Sequence, residues 1–153
     1  MATHYSMVHA RKASDTSGAL FLQRNIIMTL QNPFTDTYDN YQIVYKIEKL
    51  KVRGVKVEFK ARYLQDSKGE LWGDFKHPME NVYRAFDAYR HKMNLFSPHE
   101  ICKLQKDLAL SDQEFAKKLD IDTKYLLLVK HGHVLQTPAF DLKLKEFTKH
   151  QVN

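Results

Sequence analysis

Cysteine is nearly absent from this chain of 153 residues, because Cys102 stands alone. A single cysteine excludes an internal disulfide framework and is compatible with a reducing interior. Long apolar runs are also absent, so the sequence predicts no membrane-spanning helix. The N-terminal residues are polar and lack the apolar core of a signal peptide. We therefore expect a cytoplasmic protein that does not enter a membrane.

The motifs of the common enzyme classes are missing as well. Glycine occurs five times, and no glycine-rich phosphate-binding loop is present. The eight histidines are scattered, and no Ser/His/Asp arrangement stands in a known motif context. His131 and His133 offer two metal ligands without cysteines or nearby carboxylates, and we interpret them as incidental loop residues. The sequence therefore predicts a non-catalytic protein with no cofactor and no metal.

What the chain does have is an excess of positive charge, formally +6 with a pI of about 9.3. Such a balance favours nucleic acid or an acidic partner. The excess is concentrated in residues 46–62, where seven Lys and Arg stand against two acids. Residues 97–153 are close to neutral, with nine Lys and eight acids. The positive charge is therefore expected mainly on the N-terminal half.

The segment from Ser97 to Phe147 has the pattern of a bundle of short helices. Ser97 is a suitable N-cap residue for a first helix, and Pro98 is suitable for its first turn. Glu100, three residues after Ser97, can complete a capping box. Apolar residues then recur at three- and four-residue steps, the period of one buried helical face. They are Ile101, Leu104 and Leu108.

Three further helices are predicted in this segment. Ser111 or Asp112 caps the second helix, and a short turn at residues 120–123 separates it from a third helix over residues 124–131. Gly132 suits the left-handed end of that third helix. Thr137 and Pro138 then open the last helix. Two short helices joined by a tight turn have the spacing of a helix-turn-helix, which places its second helix in a DNA major groove.

Three phrases of this half resemble known repressor-type proteins. The run SDQEFAKKLDID, residues 111–122, resembles S-Q-x-x-F-A-x-x-L-G-V-S of the Cro/repressor-like helix-turn-helix family. Residues 85–101, AFDAYRHKMNLFSPHEI, look like the phrase that precedes this domain in MqsA/YgiT-type antitoxins, and Gln136, Ala139 and Asp141 match their Q-x-x-A-x-D tail. The resemblance covers roughly residues 81–147. It implies a homodimeric repressor of its own operon, with double-stranded DNA and a cognate toxin as partners.

The chain also departs from that family. Zinc-binding members carry two cysteine pairs in the N-terminal half, and no cysteine precedes Cys102 here, so zinc is not carried over. The family's Gln at the start of the second helix falls on Asp112, where an acid would repel a phosphate. A Glu near the end of the third helix falls on Lys130. Small polar or basic residues on its outer face are replaced by Leu127 and Leu128.

The N-terminal half reads as a small sheet. Residues 41–64 alternate between an apolar face and a face that carries Lys and Arg, and Gly54 suggests a bulge. Residues 66–69 form a hairpin-type turn before a short return strand, with apolar packing expected around Phe59, Tyr63, Trp72 and Phe75. Residues 19–30 fit either a helix or a strand.

The fold class that follows is α+β, with a small antiparallel N-terminal sheet joined by a helix to a C-terminal repressor-like helix-turn-helix bundle. We divide the chain into a flexible N-terminus at 1–18, a small α+β sheet domain at 19–76, a linking helix at 77–96 and the helix-turn-helix domain at 97–150. The apolar and aromatic stripe of the linking helix is typical of a core-facing helix.

Two function hypotheses follow. The first is a DNA-binding transcriptional regulator of the antitoxin type. Lysines of the helix-turn-helix and cations of the sheet would contact phosphates, and residues of the helix-turn-helix would contact bases. Its candidate DNA-binding residues are Lys117, Lys118, Thr123, Lys124, Tyr125, Lys130, Arg53 and Lys56. The second is a protein-binding inhibitor from a phage or other mobile element, such as a CRISPR inhibitor, by fold-level analogy. In that hypothesis a degenerate helix-turn-helix presents Leu127 and Leu128 to a host protein, although both leucines also fit a core or a dimer contact.

Overall fold

Strands and helices follow one another in two blocks along the chain. The computed structural model describes residues 5–14 and 20–150, with side chains from residue 26 onward. The strands are β1 (Tyr5–Ser14), β2 (Leu20–Asn32), β3 (Thr37–Val52), β4 (Val55–Gln65) and β5 (Leu71–Trp72). The helices are α1 (Glu80–Lys92), α2 (Pro98–Asp107), α3 (Asp112–Leu119), α4 (Thr123–Lys130) and α5 (Pro138–Lys149). The predicted α+β class is confirmed.

The five strands form one sheet in the order β1-β2-β3-β4-β5, and neighbouring strands run antiparallel. β3 and β4 are joined by a two-residue turn, in which Arg53 and Gly54 have φ of 48° and 79°. Two left-handed residues are what the type I′ hairpin turn requires. Gly54 therefore belongs to this turn, and its prediction as a bulge was wrong. The alternation along β4 is confirmed, because Val57, Phe59 and Ala61 are buried between exposed neighbours.

The N-terminal residues are more extended than the pattern indicated. Residues 20–32 form a strand. Of the two structures that the pattern of residues 19–30 allowed, the strand is therefore correct and the helix is wrong. The region predicted as an α+β domain, 19–76, carries strands and no helix in its described part. Residues 5–14 of the segment predicted to be flexible form β1, and the rest of that segment lies outside the described residues. The linking helix begins at Glu80, three residues after the predicted start.

The chain divides into two compact units, of which unit 1 comprises Met1–Glu48 and Lys60–Asn81. Its core is small, with Met28, Tyr41 and Leu64 buried and Trp72 and Phe75 packed against them. The rings of Tyr41 and Phe75 meet edge to face at 5.4 Å. The prediction that Trp72 and Phe75 help to hold the sheet is confirmed.

Unit 2 comprises Lys49–Phe59 and Val82–Asn153, and its core lies among α2, α3, α4 and α5. The predicted helix starts are confirmed, since Ser97 and Ser111 cap α2 and α3 through complete capping boxes and Thr137 caps α5. The buried residues of this core are Ile101, Phe115, Ala116, Leu119, Leu126, Val129, Phe140 and Leu144.

Four helices of the bundle region end in the same way. A left-handed residue follows or closes each helix: Asn94 after α1, Ala109 after α2, Asp120 after α3 and Gly132 after α4. After α2, the N–H of Leu110 donates to the carbonyl of Gln105 and that of Ala109 to Lys106. This pair of bonds defines the Schellman motif, whose left-handed position glycine usually fills. The predicted role of Gly132 is confirmed, and the other three residues take that role without glycine.

A buried polar network fixes the loop before α5. The Nε of Arg90 donates to Oε1 of Gln136 at 2.8 Å, and the Nε2 of Gln136 donates to the carbonyl of Phe96 at 2.6 Å. Asp141 accepts from the backbone N–H of Phe96 at 2.8 Å. Arg90, Gln136 and Asp141 are all about 1% exposed or less. The Gln and Asp of the tail phrase are therefore structural residues in this chain.

Candidate nucleic-acid and partner-binding surfaces

α3 and α4 are two eight-residue helices joined by residues 120–122. The side chain of Asp122 accepts the N–H groups of Lys124 and Tyr125, so it caps α4 and fixes where that helix begins. Its negative charge also lies at the favourable end of the helix dipole. Thr123 is half-buried in the first turn, and Lys124 beside it is exposed.

The outward face of α4 is apolar at its centre. Leu126 and Val129 point into the core and are fully buried. Lys124, Leu127, Leu128 and His131 follow steps of three and four residues on the opposite side. Leu127 and Leu128 are partly buried, and neither belongs to the described core cluster. A helix with this outward face has little capacity to hydrogen-bond base edges.

Tyr125, a candidate for base contact, has a structural partner at the start of α5. Its hydroxyl oxygen accepts the backbone N–H of Thr137 at 3.0 Å, and its ring meets Phe140 edge to face at 5.6 Å. The side chain is half-buried and packs against the core of unit 2. In this position Tyr125 ties α4 to α5.

Lys130, a second candidate, forms an ion pair with Asp112. Its Nζ lies 2.5 Å from Oδ1 of Asp112, which also accepts from Nε2 of Gln105 at 2.9 Å. These two hydrogen bonds, led by that of Lys130, hold the pKa of Asp112 below its usual range. The Lys130 side chain is only 15% exposed. The charge of Asp112, which was expected to repel a phosphate, is thus largely neutralised by Lys130. The Lys130 side chain is itself mostly covered.

Arg53, from the β3–β4 turn, is also engaged within unit 2. Its guanidinium donates to the carbonyls of Gln136 at 2.7 Å and Leu135 at 3.0 Å, and lies 5.9 Å from the ring centre of Tyr89. These contacts hold a non-glycine residue in a left-handed conformation at the hairpin tip. Arg53 therefore anchors the hairpin to the loop before α5.

The remaining candidate cations are exposed. Lys117 and Lys118 lie in the last turn of α3, Lys124 in the first turn of α4, and Lys56 on β4. None of the four forms an ion pair within the described residues. They are the predicted DNA-binding residues that remain available to a phosphate.

The net charge is divided unequally between the two units. Unit 2 contains sixteen Lys and Arg and ten Asp and Glu, whereas unit 1 contains eight of each. The whole formal charge of +6 therefore belongs to unit 2. The sequence located the excess at residues 46–62, and the fold assigns the part of it in residues 49–59 to the same unit as the helices.

The lysines of unit 2 include a group of four, of which the candidate residues contained only Lys56. Lys49, Lys51, Lys56 and Lys92 line one open depression. Lys49 and Lys51 belong to the basic stretch at residues 46–62, but Lys92 lies 36 residues beyond Lys56, on α1. The alternating charges of residues 46–62 could have indicated Lys49, Lys51 and Lys56 from the sequence. Only the fold shows that Lys92 lies beside them.

No described residues form a cluster of three or more His, Cys, Asp or Glu that could hold a metal ion. The His131 and His133 rings lie 6.0 Å apart, and His133 stacks on Tyr83 at 5.2 Å. Across residues 5–14 and 20–150, no helix is long and apolar enough to span a bilayer.

The chain matches no family model, no curated protein and no solved structure. The resemblance to antitoxins therefore rests on its three phrases alone.

Proposed function

We propose that this chain is a non-catalytic, DNA-binding regulator that resembles antitoxin-type repressors and grips duplex DNA mainly by its phosphates. The observation that carries the proposal is that the entire net charge of +6 belongs to unit 2. Residues 49–59 and 82–96 supply +5 of it, and residues 97–153, which contain the α3–turn–α4 pair, supply +1. Lys117, Lys118 and Lys124 are exposed on that pair. Cations at such positions bind phosphates and release counterions from the duplex.

The apolar face of α4 limits how such a regulator reads sequence. Phosphate contacts position a protein on the duplex, and base contacts supply most of the specificity. Leu127 and Leu128 can contact thymine methyl groups but cannot hydrogen-bond a base. We therefore expect modest sequence preference per protomer. A homodimer that spans two half-sites would add the specificity that one α4 lacks.

The experiment is selection from a pool of random duplex DNA at about 150 mM salt, the physiological ionic strength. Enrichment of a palindromic motif is the result expected of a sequence-reading dimer. Binding without enrichment of any sequence would show that the protein contacts only phosphates, and it would contradict the proposal of a sequence-specific regulator. Absence of any binding would overturn DNA binding itself.

A triple variant, Lys117→Gln, Lys118→Gln and Lys124→Gln, tests which cations are responsible. If each contacts one phosphate, the slope of log affinity against log salt falls by about 0.9 for each contact. The matched control removes three exposed lysines of unit 1 and has the same change in net charge. It consists of Lys46→Gln, Lys68→Gln and Lys76→Gln. Equal losses in both variants would contradict a specific role for α3 and α4.

A second candidate function is a protein-binding inhibitor of the mobile-element type, and the Leu127–Leu128 pair favours it. Lys124 and His131 flank the pair on the same face, so the matching partner surface would be apolar with an acidic rim. A cognate toxin or a host protein fits this description. The test is Leu127→Asp, which should abolish a complex while the variant stays folded. Unfolding of the variant would show that the leucine is required for packing and would remove the main support for this function.

A further inference from the structure

A lysine-lined depression of about 450 Å³ lies within unit 2, and no residue of α4 lines it. The tip of the β3–β4 hairpin supplies Lys49, Lys51 and Lys56, and the last residue of α1 supplies Lys92. Leu50 and Val57 form its apolar part, and Glu58 is its one acid. We call these four cations the lysine depression.

The hairpin turn explains why the lysines converge. β3 ends at Val52 and β4 begins at Val55, and a two-residue turn pairs the residues on either side of it. Lys51 then lies opposite Lys56, and Lys49 lies opposite Glu58. The ion pair of 3.4 Å between Lys49 and Glu58 agrees with this register. Because opposite residues share a face of the sheet, the three lysines emerge on one side.

This arrangement opposes the stability of the hairpin. Like charges directly opposite each other in antiparallel strands are destabilising, and Lys51 and Lys56 are such a pair. Lys92 adds a third ammonium, since its Nζ donates to the carbonyl of Lys56 at 2.6 Å. The one acid of the depression, Glu58, is shared with Lys49. Four cations against one carboxylate leave a local excess of three positive charges, which an external anion would neutralise.

We propose that the lysine depression binds the phosphate backbone of duplex DNA, as a contact additional to α3 and α4. The cations are ammonium groups on flexible stems, which bind phosphates as point charges rather than as the planar forks that read guanine. None of the lining residues is aromatic. A single strand would need such rings to stack its bases. Ammonium groups bind the more closely spaced phosphates of a duplex more strongly than those of a single strand, so we expect this site to favour a duplex and to have no sequence preference.

This inference rests on the proposed function only in taking DNA as the ligand, and it does not require α4 to read bases. The probe is a short duplex of arbitrary sequence, titrated at several salt concentrations. The variant is Lys51→Gln with Lys56→Gln. Its matched control is Lys68→Gln with Lys76→Gln, two exposed lysines of unit 1. Thermal unfolding accompanies both, because removal of the facing lysines relieves their repulsion and should leave stability equal or higher.

We expect the double variant to lose about tenfold in affinity at low salt, and its salt slope to fall by about two, as two phosphate contacts require. The control should change affinity less than twofold. An unchanged slope in the Lys51 and Lys56 variant would overturn the inference, and it would leave the proposed function standing if the α3–α4 variant still lost affinity. A wild-type protein that bound an acidic polypeptide or a single strand more tightly than the duplex would overturn it as well. Loss of affinity in the Lys51 and Lys56 variant without any selected DNA motif would support the lysine depression and contradict the regulator.

Discussion

The Nζ of Lys130 lies 2.5 Å from Oδ1 of Asp112 and joins the end of α4 to the start of α3. In the repressor-like pattern these two positions carry Glu and Gln, so the two departures of this chain meet in one ion pair. If position 112 carried Gln, Lys130 would have no carboxylate to pair with. If position 130 carried no cation, the charge of Asp112 would repel a DNA phosphate, as expected from the sequence. Asp112 and Lys130 are therefore a structural pair, which changes how both residues bear on DNA binding.

A double-mutant cycle with Lys130→Met and Asp112→Asn measures this pair. We expect a coupling free energy of about 0.5–1 kcal/mol in urea unfolding, because the Lys130 side chain is largely covered while Asp112 is 42% exposed. The control is the cycle on Lys103 and Asp107, which are 2.8 Å apart but exposed, and it should give a smaller coupling. Equal coupling in the two cycles would contradict a special role for the Lys130 pair.

Stability should fall in acid through the same carboxylate. The hydrogen bonds from Lys130 and Gln105 lower the pKa of Asp112 in the folded state. A lowered folded pKa means that the stabilisation is complete above the unfolded value of about 3.9 and is lost as the pH falls through the folded value. The pH dependence of the urea midpoint below about pH 4 should therefore be flatter for Lys130→Met than for the wild type. A steeper slope in the variant would contradict the assignment.

The helix starts were predictable because their signals are local. Ser97, Glu100 and Thr137 act within three residues of sequence, and each caps as predicted. Two helix ends were also predictable, because Asn94 and Gly132 are residue types that favour the left-handed conformation. Ala109 occupies a left-handed position that no propensity indicates, so its role could be found only from the backbone. β2 could not be told from a helix, because its apolar residues fit both periods.

Ala109→Gly should stabilise the protein. Ala109 has φ of 52° after α2, where an L-residue with a Cβ is strained and glycine is not. The relief is partly offset by the greater freedom of glycine in the unfolded chain, so we expect a gain of about 0.5–1 kcal/mol in urea unfolding. Ala88→Gly in the interior of α1 is the control, and it should destabilise by about 1 kcal/mol. A loss of stability in Ala109→Gly would contradict the left-handed conformation.

Gln136→Leu should be strongly destabilising, although leucine is similar in size. The substitution removes the acceptor of the Arg90 Nε and the donor to the Phe96 carbonyl, and both groups lie in the buried network. Buried polar and charged groups without partners cost about 2–4 kcal/mol in total. Gln113→Leu, on the exposed side of α3, is the control and should change stability by less than about 0.5 kcal/mol. A neutral Gln136→Leu would show that the network does not hold the loop.

The candidate site was predicted in part, for a physical reason. Exposure of Lys117, Lys118 and Lys124 follows from helix periodicity, which the sequence contains. The engagement of Tyr125, Lys130 and Arg53 could not be read, because their partners lie 12 to 83 residues away. Distances of that kind depend on how helices and hairpin pack, and a single sequence does not encode them as a local pattern.

Leucines of α4 should separate into two classes on truncation. Leu126 is fully buried in the core of unit 2, so Leu126→Ala removes packed atoms and leaves a cavity, at a cost of about 2–5 kcal/mol. Leu127 and Leu128 are partly buried and outside that cluster, so each alanine variant should cost about 1 kcal/mol. Urea unfolding of the three variants measures the difference. If Leu127→Ala or Leu128→Ala costs as much as Leu126→Ala, the outward face is part of the core and neither thymine methyls nor a partner protein contacts it. If both are mild, the two leucines are free to bind, and loss of DNA or partner affinity in the same variants then identifies which ligand they serve.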